Sequence, residues 1–166
     1  MVILETERLI LRPFEESDLD AYHAVLANPE VGAWLGKPEG FSREAAEANL
    51  KEATYKWKDG FSALVVILKS ENKLIGHCGL VYREKHGAFE LLYAIDSPYW
   101  KQGYTTEAAK VCIDYGFKEL KLEKIIAFTQ PHNLGSRRVM EKHGFKYTKD
   151  FIHAELPHVF YELHAN

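Results

Sequence analysis

The sequence predicts an α+β domain, on three observations. Seven short runs are rich in β-branched, aliphatic and aromatic residues, and four longer stretches carry the apolar spacing of a helix instead. The two kinds are mixed along the chain: a strand, two helices, three strands joined by short turns, a helix, a strand, a helix and two final strands. The chain has 166 residues, the size of one compact domain, and no repeat, low-complexity tract or linker divides it, so one domain over 1–166 is expected.

In order, Arg8 to Arg12 reads as the first strand. Ser17 to Ala27 follows as a helix with Ser17 as N-cap, and Ser42 to Lys58 as a second, capped by Ser42 with Glu44 and Glu47 near its positive end. Between them, Trp34 to Phe41 is punctuated by Gly36, Pro38 and Gly40 and reads as a loop. Phe61 to Lys69, Lys73 to Tyr82 and Ala88 to Ile95 are strands joined by turns at Glu71-Asn72 and Arg83 to Gly87. Thr105 to Leu120 is a helix in which Glu107, Lys110, Asp114 and Lys118 recur every three or four positions as one narrow charged stripe, so most of its surface is expected to be buried against a sheet. Lys124 to Thr129 is a strand, Asn133 to His143 a helix stopped by Gly144, and Phe145 to Ile152 and His158 to His164 close the chain as strands.

Composition narrows the function. With 46% hydrophobic and 27% charged residues the chain reads as an ordinary folded protein. Its 21 Lys and Arg against 24 Asp and Glu leave no global basic field for nucleic acid or an anionic membrane, although Arg137, Arg138 and Lys142 form a local patch able to meet a phosphate. No apolar run reaches the length of a membrane span and the N-terminus lacks a signal pattern, so a cytoplasmic location is expected. Cys78 and Cys112 read as small buried apolar residues, neither a disulfide framework nor a nucleophile. The eight histidines show no His-x-x-x-His spacing, and adjacent His77 and Cys78 should face opposite ways, so no metal is expected.

Two stretches carry chemistry. Pro98 to Ala109 takes a glycine turn at Gly103 into a helix start, where unpaired backbone N–H groups and the helix dipole make an anion-binding device; alone, such a turn is more often plain connectivity. It lacks the Gly-Lys-Ser/Thr of a nucleotide-hydrolysing loop. Asn133 to Phe145 follows another apolar strand and begins Asn133-Leu134-Gly135-Ser136.

Together, in this order and separation, and with the opening Glu5-Thr6-Glu7-Arg8-Leu9-Ile10-Leu11-Arg12-Pro13, these stretches resemble the GNAT N-acetyltransferases, and within them the ribosomal-protein (RimJ/RimL-like) branch. The resemblance runs from about Glu5 to Leu163. It implies a mixed, mostly antiparallel seven-stranded sheet flanked by four helices, with the strands at Ala88 to Ile95 and Lys124 to Thr129 splayed apart. It also implies acetyl-CoA as cosubstrate, its pyrophosphate on the turn Lys101, Gln102, Gly103, Tyr104, Thr105 and Thr106. The pantetheine arm would run along Tyr93, Ala94 and Ile95, with Asn133 beside it and Ser136 near the sulfur. Gly103 matches the family's turn, whereas Trp100 and Thr105 depart from it. Where many members keep a tyrosine that protonates the leaving thiolate this chain has Met140, so Ser136 or water would serve as acid. Glu90 matches a family base, on the same strand face as Leu92 and Ala94, where an apolar setting would raise its pKa. A solvated glutamate next to the hairpin at Gly87 is the alternative, as an N-cap is for Asn133.

The resemblance thus implies acetyl transfer to a primary amine, on a small molecule or a protein N-terminus, with Trp34 to Phe41 and Phe151 to Pro157 as walls of the acceptor pocket. It leaves a homodimer open. A non-catalytic acyl-CoA sensor is the competing reading, motivated by Met140 and Trp100, and a nucleic-acid module is disfavoured by the acidic balance.

Overall fold

Near-continuous burial along Ala63–Leu68, Lys73–Arg83 and Ala88–Ile95 marks strands covered on both faces and puts them in the middle layer of the molecule. The structure, a computed structural model, describes residues 2–166. Its eight strands are β1 (Leu4–Glu5), β2 (Leu9–Arg12), β3 (Ala63–Leu68), β4 (Lys73–Arg83), β5 (Ala88–Ile95), β6 (Lys124–Thr129), β7 (Lys146–His153) and β8 (Leu156–His164). They form one sheet in the order β1-β2-β3-β4-β5-β6-β8-β7, antiparallel throughout except for the β5–β6 pair. Five α-helices flank it: α1 (Leu19–Leu26), α2 (Pro29–Trp34), α3 (Arg43–Tyr55), α4 (Tyr104–Lys118) and α5 (Leu134–Lys142). The mixed, mostly antiparallel architecture is the expected one, with one more strand and one more helix.

The extra strand, β1, has two residues, too few for any period to register. The extra helix, α2, lies just before and into the segment read as a loop. Asn28 caps it by accepting from Glu30 N at 3.0 Å, and Pro29 occupies its first turn, a start signal followed by only six residues. Ser17 is not a cap. A 3₁₀ turn over Glu16–Asp18 precedes α1, and Asp18, accepting from Glu15 N at 2.7 Å, ties its start. Arg12 holds Asp18 through two bonds of 2.9 Å, linking β2 to α1. Burial pushes Asp18 up, but Arg12 and the Glu15 amide outweigh it and the carboxyl stays below its ordinary range. Ser42 does cap α3, accepting from Ala45 N at 3.1 Å.

On one face of the sheet α4 packs chiefly on β4 and β5, its Ala108, Ala109, Cys112 and Ile113 buried against Leu64, Ile75, Cys78, Leu80, Leu91 and Ile125. Burying an aliphatic side chain of this size contributes roughly 1.5–3 kcal/mol, so the α4 seam holds the helix firmly. Gly116 sets its closeness: a Cβ there would come within 2.8 Å of Leu80 Cδ1. Only Lys110 and Lys118 of this helix are exposed, the expected narrow stripe. On the other face α1 and α3 bring Tyr22, Val25, Leu26, Ala46 and Leu50 onto Val65, Leu74, Val81 and Ala94. A third cluster on that side joins Ala88, Ile126 and Phe160. His77 and Cys78 face opposite layers as the alternation requires, and Cys78 lies 3.9 Å from Cys112, sulfur to sulfur, in the core.

The β5–β6 pair positions everything that follows. These parallel strands pair only at Phe89–Ile125 and Glu90–Ile126; beyond that, Leu91 to Ile95 and Ala127 to Thr129 have no ladder between them. The sheet opens there into a wedge, with α4 starting just past the end of one strand and α5 past the end of the other.

Candidate active site

A cleft of about 1070 Å³ occupies this wedge and extends past both strand ends. Its first wall is the turn into α4. Gly103 has φ +83° and Lys101 φ +62°, and no side chain caps the helix, so the first amides of α4 point outward unpaired. Lys101, Gly103, Tyr104, Thr105 and Thr106 all line the cleft. Gln102 does not: its side chain donates to Pro98 O at 3.1 Å and its carbonyl accepts from Arg8 Nη1 at 2.9 Å. Trp100 lines the cleft and pins the end of β5, its indole N–H donating to Ile95 O at 2.6 Å.

The opening of the chain braces this turn, a role that local patterning does not disclose. Besides holding Gln102 O, Arg8 pairs through Nε with Glu107 Oε1 at 2.8 Å, and its guanidinium lies 4.2 Å over the Tyr104 ring. Glu107 also accepts from Arg8 N and from the Thr6 hydroxyl. Burial raises the Glu107 carboxyl, but these donors more than offset it and keep it below the usual carboxylate range. A charged carboxylate in the first turn of α4 is thereby fixed with its cation, not left facing the cleft.

The opposite wall is the start of α5. Asn133 caps it, its Oδ1 accepting from Ser136 N at 3.2 Å while Nδ2 donates to Thr129 Oγ1 at 3.2 Å. The cap reading is therefore observed, and one amide proton of Asn133 remains for a ligand. Asn133, Ser136, Arg138 and Met140 line the cleft, together with Tyr93, Ala94 and Ile95 of β5. Of the basic patch, Arg137 is engaged with Tyr161 Oη and Pro131 O, and only Arg138 reaches the cleft. Tyr93, expected alongside the pantetheine arm, also meets Ser136 through its side chain: Oη and Oγ are 2.8 Å apart.

Glu90 stands where the β5–β6 ladder ends, on the face of Leu92 and Ala94 as alternation requires, and it is 5% exposed. It is not a solvated hairpin residue. Arg83 Nε donates to its Oε1 at 2.7 Å, yet burial dominates and pushes the carboxyl up to about 7. Arg83, at the end of β4, carries no sequence signal; only the β4–β5 register brings it beside Glu90.

Beyond Glu90 the cleft is lined by residues of α2 and of the β7–β8 hairpin. Trp34, Leu35, Gly36, Lys37 and Phe41 line it from the first expected acceptor segment, whereas Pro38 and Gly40 do not. From the second, His153, Ala154 and Leu156 line it and Phe151, Ile152, Glu155 and Pro157 do not. Gln130 clamps this end, its Nε2 donating to Ala33 O at 3.1 Å and Trp34 O at 3.3 Å. Phe128 packs 4.7 Å from His153, and burial lowers the His153 pKa, so this wall is aromatic and largely uncharged. Among the described residues no group of three or more His, Cys, Asp or Glu is placed to hold a metal, and no helix is long and apolar enough to cross a membrane.

Comparison with known proteins agrees with this geometry. Residues 8–146 match the family model of the acetyltransferase (GNAT) domain. The uncharacterized N-acetyltransferase YnaD of Bacillus subtilis (strain 168) is 36% identical over 146 residues, 86% of this chain and 82% of its own. An acetyltransferase (GNAT family) from Bacillus anthracis has a crystal structure that superposes with a TM-score of 0.83 at 32% identity, covering 98% of both chains. The RimL ribosomal L7/L12 α-N-protein acetyltransferase, solved in complex with coenzyme A, reaches a TM-score of 0.82 over 98% of both chains at 16% identity, a likeness of fold.

Proposed function

The chain belongs to the GNAT acetyltransferase family and is an acetyl-CoA-dependent N-acetyltransferase, and from that premise we propose that it acetylates a primary amine by direct attack within a ternary complex. The observation that carries this reading is the position of Glu90: a buried carboxylate at the point where β5 and β6 part, between an uncapped helix start and an apolar pocket.

In this reading the CoA pyrophosphate rests on the amides of Gly103 to Thr106 with Lys101 beside it, and the pantetheine arm lies between β5 and β6 like a missing strand. Asn133 donates its spare amide proton to that arm. The amine enters from the α2 and β7–β8 side. Its nitrogen lone pair forms the new C–N bond, and a β5 amide at Tyr93 or Ala94 stabilises the oxyanion. The C–S bond then breaks and its electron pair leaves on sulfur. Glu90 takes the amine proton, directly or through water, and returns it to solvent.

The lining narrows the acceptor. Glu90 is the only carboxylate among the described lining residues and is already paired with Arg83, while Lys37 adds a further cation. A polycation finds no second anion there. The aromatic and aliphatic walls of Trp34, Phe41, Leu92, Phe128 and Leu156 suit a single amine carried beside an apolar group, on a small molecule or at a polypeptide N-terminus.

The test follows CoA thiol release from acetyl-CoA with an arylalkylamine, a peptide with an apolar first residue, and a polyamine. Turnover with either of the first two is expected, and preference for the polyamine would overturn the acceptor assignment. With the best amine, Glu90→Gln should lower kcat at pH 7 by roughly 10²- to 10⁴-fold. Because a base must be deprotonated to act, the wild-type rate should climb as pH rises through about 7, the Glu90 value. The variant should lose that limb and follow the amine's own ionisation. Identical profiles would remove Glu90 from the mechanism.

A further inference from the structure

The proposed reaction leaves one group to be accounted for, the sulfur that departs with the electron pair of the broken C–S bond. Met140 lines this part of the cleft but has no proton to offer. Resting on the acetyl-transfer reading, we propose that Tyr93, acting through Ser136, is a positioning residue that lets the leaving sulfur depart as a hydrogen-bonded thiolate, with water and not the protein supplying the proton.

The geometry starts from the wedge. Since the ladder stops at Glu90–Ile126, β6 does not cover the far half of β5, and the first turn of α5 closes up to it. Tyr93 projects on the α4 side of the sheet, opposite in sense to Glu90, and its hydroxyl reaches 2.8 Å from Ser136 Oγ and 3.2 Å from Ser136 O. Base and hydroxyl pair thus flank the wedge from opposite faces of one strand, three residues apart.

The direction of the 2.8 Å bond follows from chemistry. A phenol is much more acidic than an alcohol, and of its two acceptors Ser136 Oγ at 2.8 Å is nearer than Ser136 O at 3.2 Å. In this proposal Tyr93 therefore gives its one proton to Oγ. Ser136 then has its own proton free, and among the described residues Oγ makes no other hydrogen bond. In that arrangement the Ser136 proton is left to face the cleft, which Ser136 lines. Ser136 is also the third residue of α5, whose N-terminal amides favour a negative charge nearby. A serine whose oxygen already accepts a bond is a better donor, because chained hydrogen bonds polarise one another.

Neither hydroxyl can surrender its proton to the sulfur. An ordinary thiol titrates at about 8.5 and a phenol at about 10, and an alcohol lies higher still. Burial moves the Tyr93 phenol further up. Net transfer to a thiolate would run uphill, so the pair stabilises charge as an oxyanion hole does and the thiolate is protonated by water on release.

Coenzyme A itself is the probe, so the acceptor need not be known. Its thiolate absorbs in the ultraviolet, and the thiol of bound CoA can be titrated in wild type, Tyr93→Phe, Ser136→Ala and the double variant. Wild type should lower the bound thiol pKa relative to free CoA. Tyr93→Phe should raise it by roughly one unit, a tenfold loss of thiolate at a given pH. Ser136→Ala should raise it at least as far, and the double variant no further than Ser136→Ala alone, since one residue acts through the other. A Tyr93→Phe titration matching wild type, or additive effects of the two changes, overturns the proposal. If Tyr93→Phe does not fold, Ser136→Ala must by itself raise the thiol pKa or the proposal falls. Failure of wild type to bind CoA would instead sink the reading of the cleft as an acetyl-CoA site, and this inference with it.

Discussion

The two helices that open onto the cleft begin in opposite ways. α5 starts on Asn133, whose side chain takes the Ser136 amide, and α2 and α3 are likewise capped by Asn28 and Ser42. α4 starts on a glycine at φ +83° with no side-chain cap, although it is the longest helix of the molecule and the most firmly packed on the sheet. An N-cap is worth about 1 kcal/mol, and here it is forgone at a helix whose position is held by other means. Packing on β4 and β5 and the Arg8–Glu107 brace supply that hold. α1 also lacks a side-chain cap, but it continues from the 3₁₀ turn over Glu16–Asp18. α4 alone begins bare at the cleft, and the difference teaches that its stability comes from elsewhere in the fold.

The comparison is broken most directly at Gly103. Gly103→Glu adds a carboxylate where a phosphate would sit, and its Cβ would come 3.2 Å from the Arg8 guanidinium. CoA affinity should fall by roughly 100-fold, about 2.8 kcal/mol, so that CoA no longer raises the melting temperature. The unliganded protein should lose only about 1 kcal/mol, the cost of a side chain in the left-handed region. Undiminished CoA binding in this variant would mean that α4 is uncapped for no ligand's sake.

At the other start the two roles of Asn133 can be pulled apart. Asn133→Ala should destabilise the fold by about 1 kcal/mol through loss of the cap. Asn133→Asp keeps a capping oxygen but not the amide donor. Its thermal stability should stay near wild type while CoA affinity drops several-fold, about 1 kcal/mol, measured by calorimetric titration. If Asn133→Asp binds CoA as wild type does, Asn133 is a cap and nothing more.

The smallest effect is expected at Arg8, which touches the turn from behind. Arg8→Ala frees Gln102 O and unpairs Glu107. A looser turn should bind CoA about threefold more weakly, with the larger part of the change in the dissociation rate. An unaltered rate in stopped-flow measurements would show that sheet packing alone holds the α4 start.

Much of this architecture is legible in the residue pattern alone. The α4 stripe, the Ser42 cap, the stop at Gly144 and the alternation that puts Glu90 with Leu92 and Ala94 are all local, set by residues within one or two turns of one another. What the pattern does not carry is short or distant. β1 and α2 are too brief for periodicity, and Ser17 resembles a cap because nothing in the sequence ties Arg12 to Asp18. Arg83, Gln130 and the Tyr93 side chain belong to the site through partners 7, 96 or 97, and 43 residues away respectively.

The sequence by itself determined the order and kind of the principal elements, the glycine turn, the Asn133 helix start and the family to which they point, because each rests on local backbone preference and on residue types at fixed spacing. Whether Glu90 is buried, which hydroxyl faces Ser136, and that Arg8 buttresses the turn were decided only by tertiary structure. These depend on register between strands and on how far β5 and β6 run together before parting. Desolvation and hydrogen bonding are properties of neighbours in space, and a pattern along the chain does not contain them.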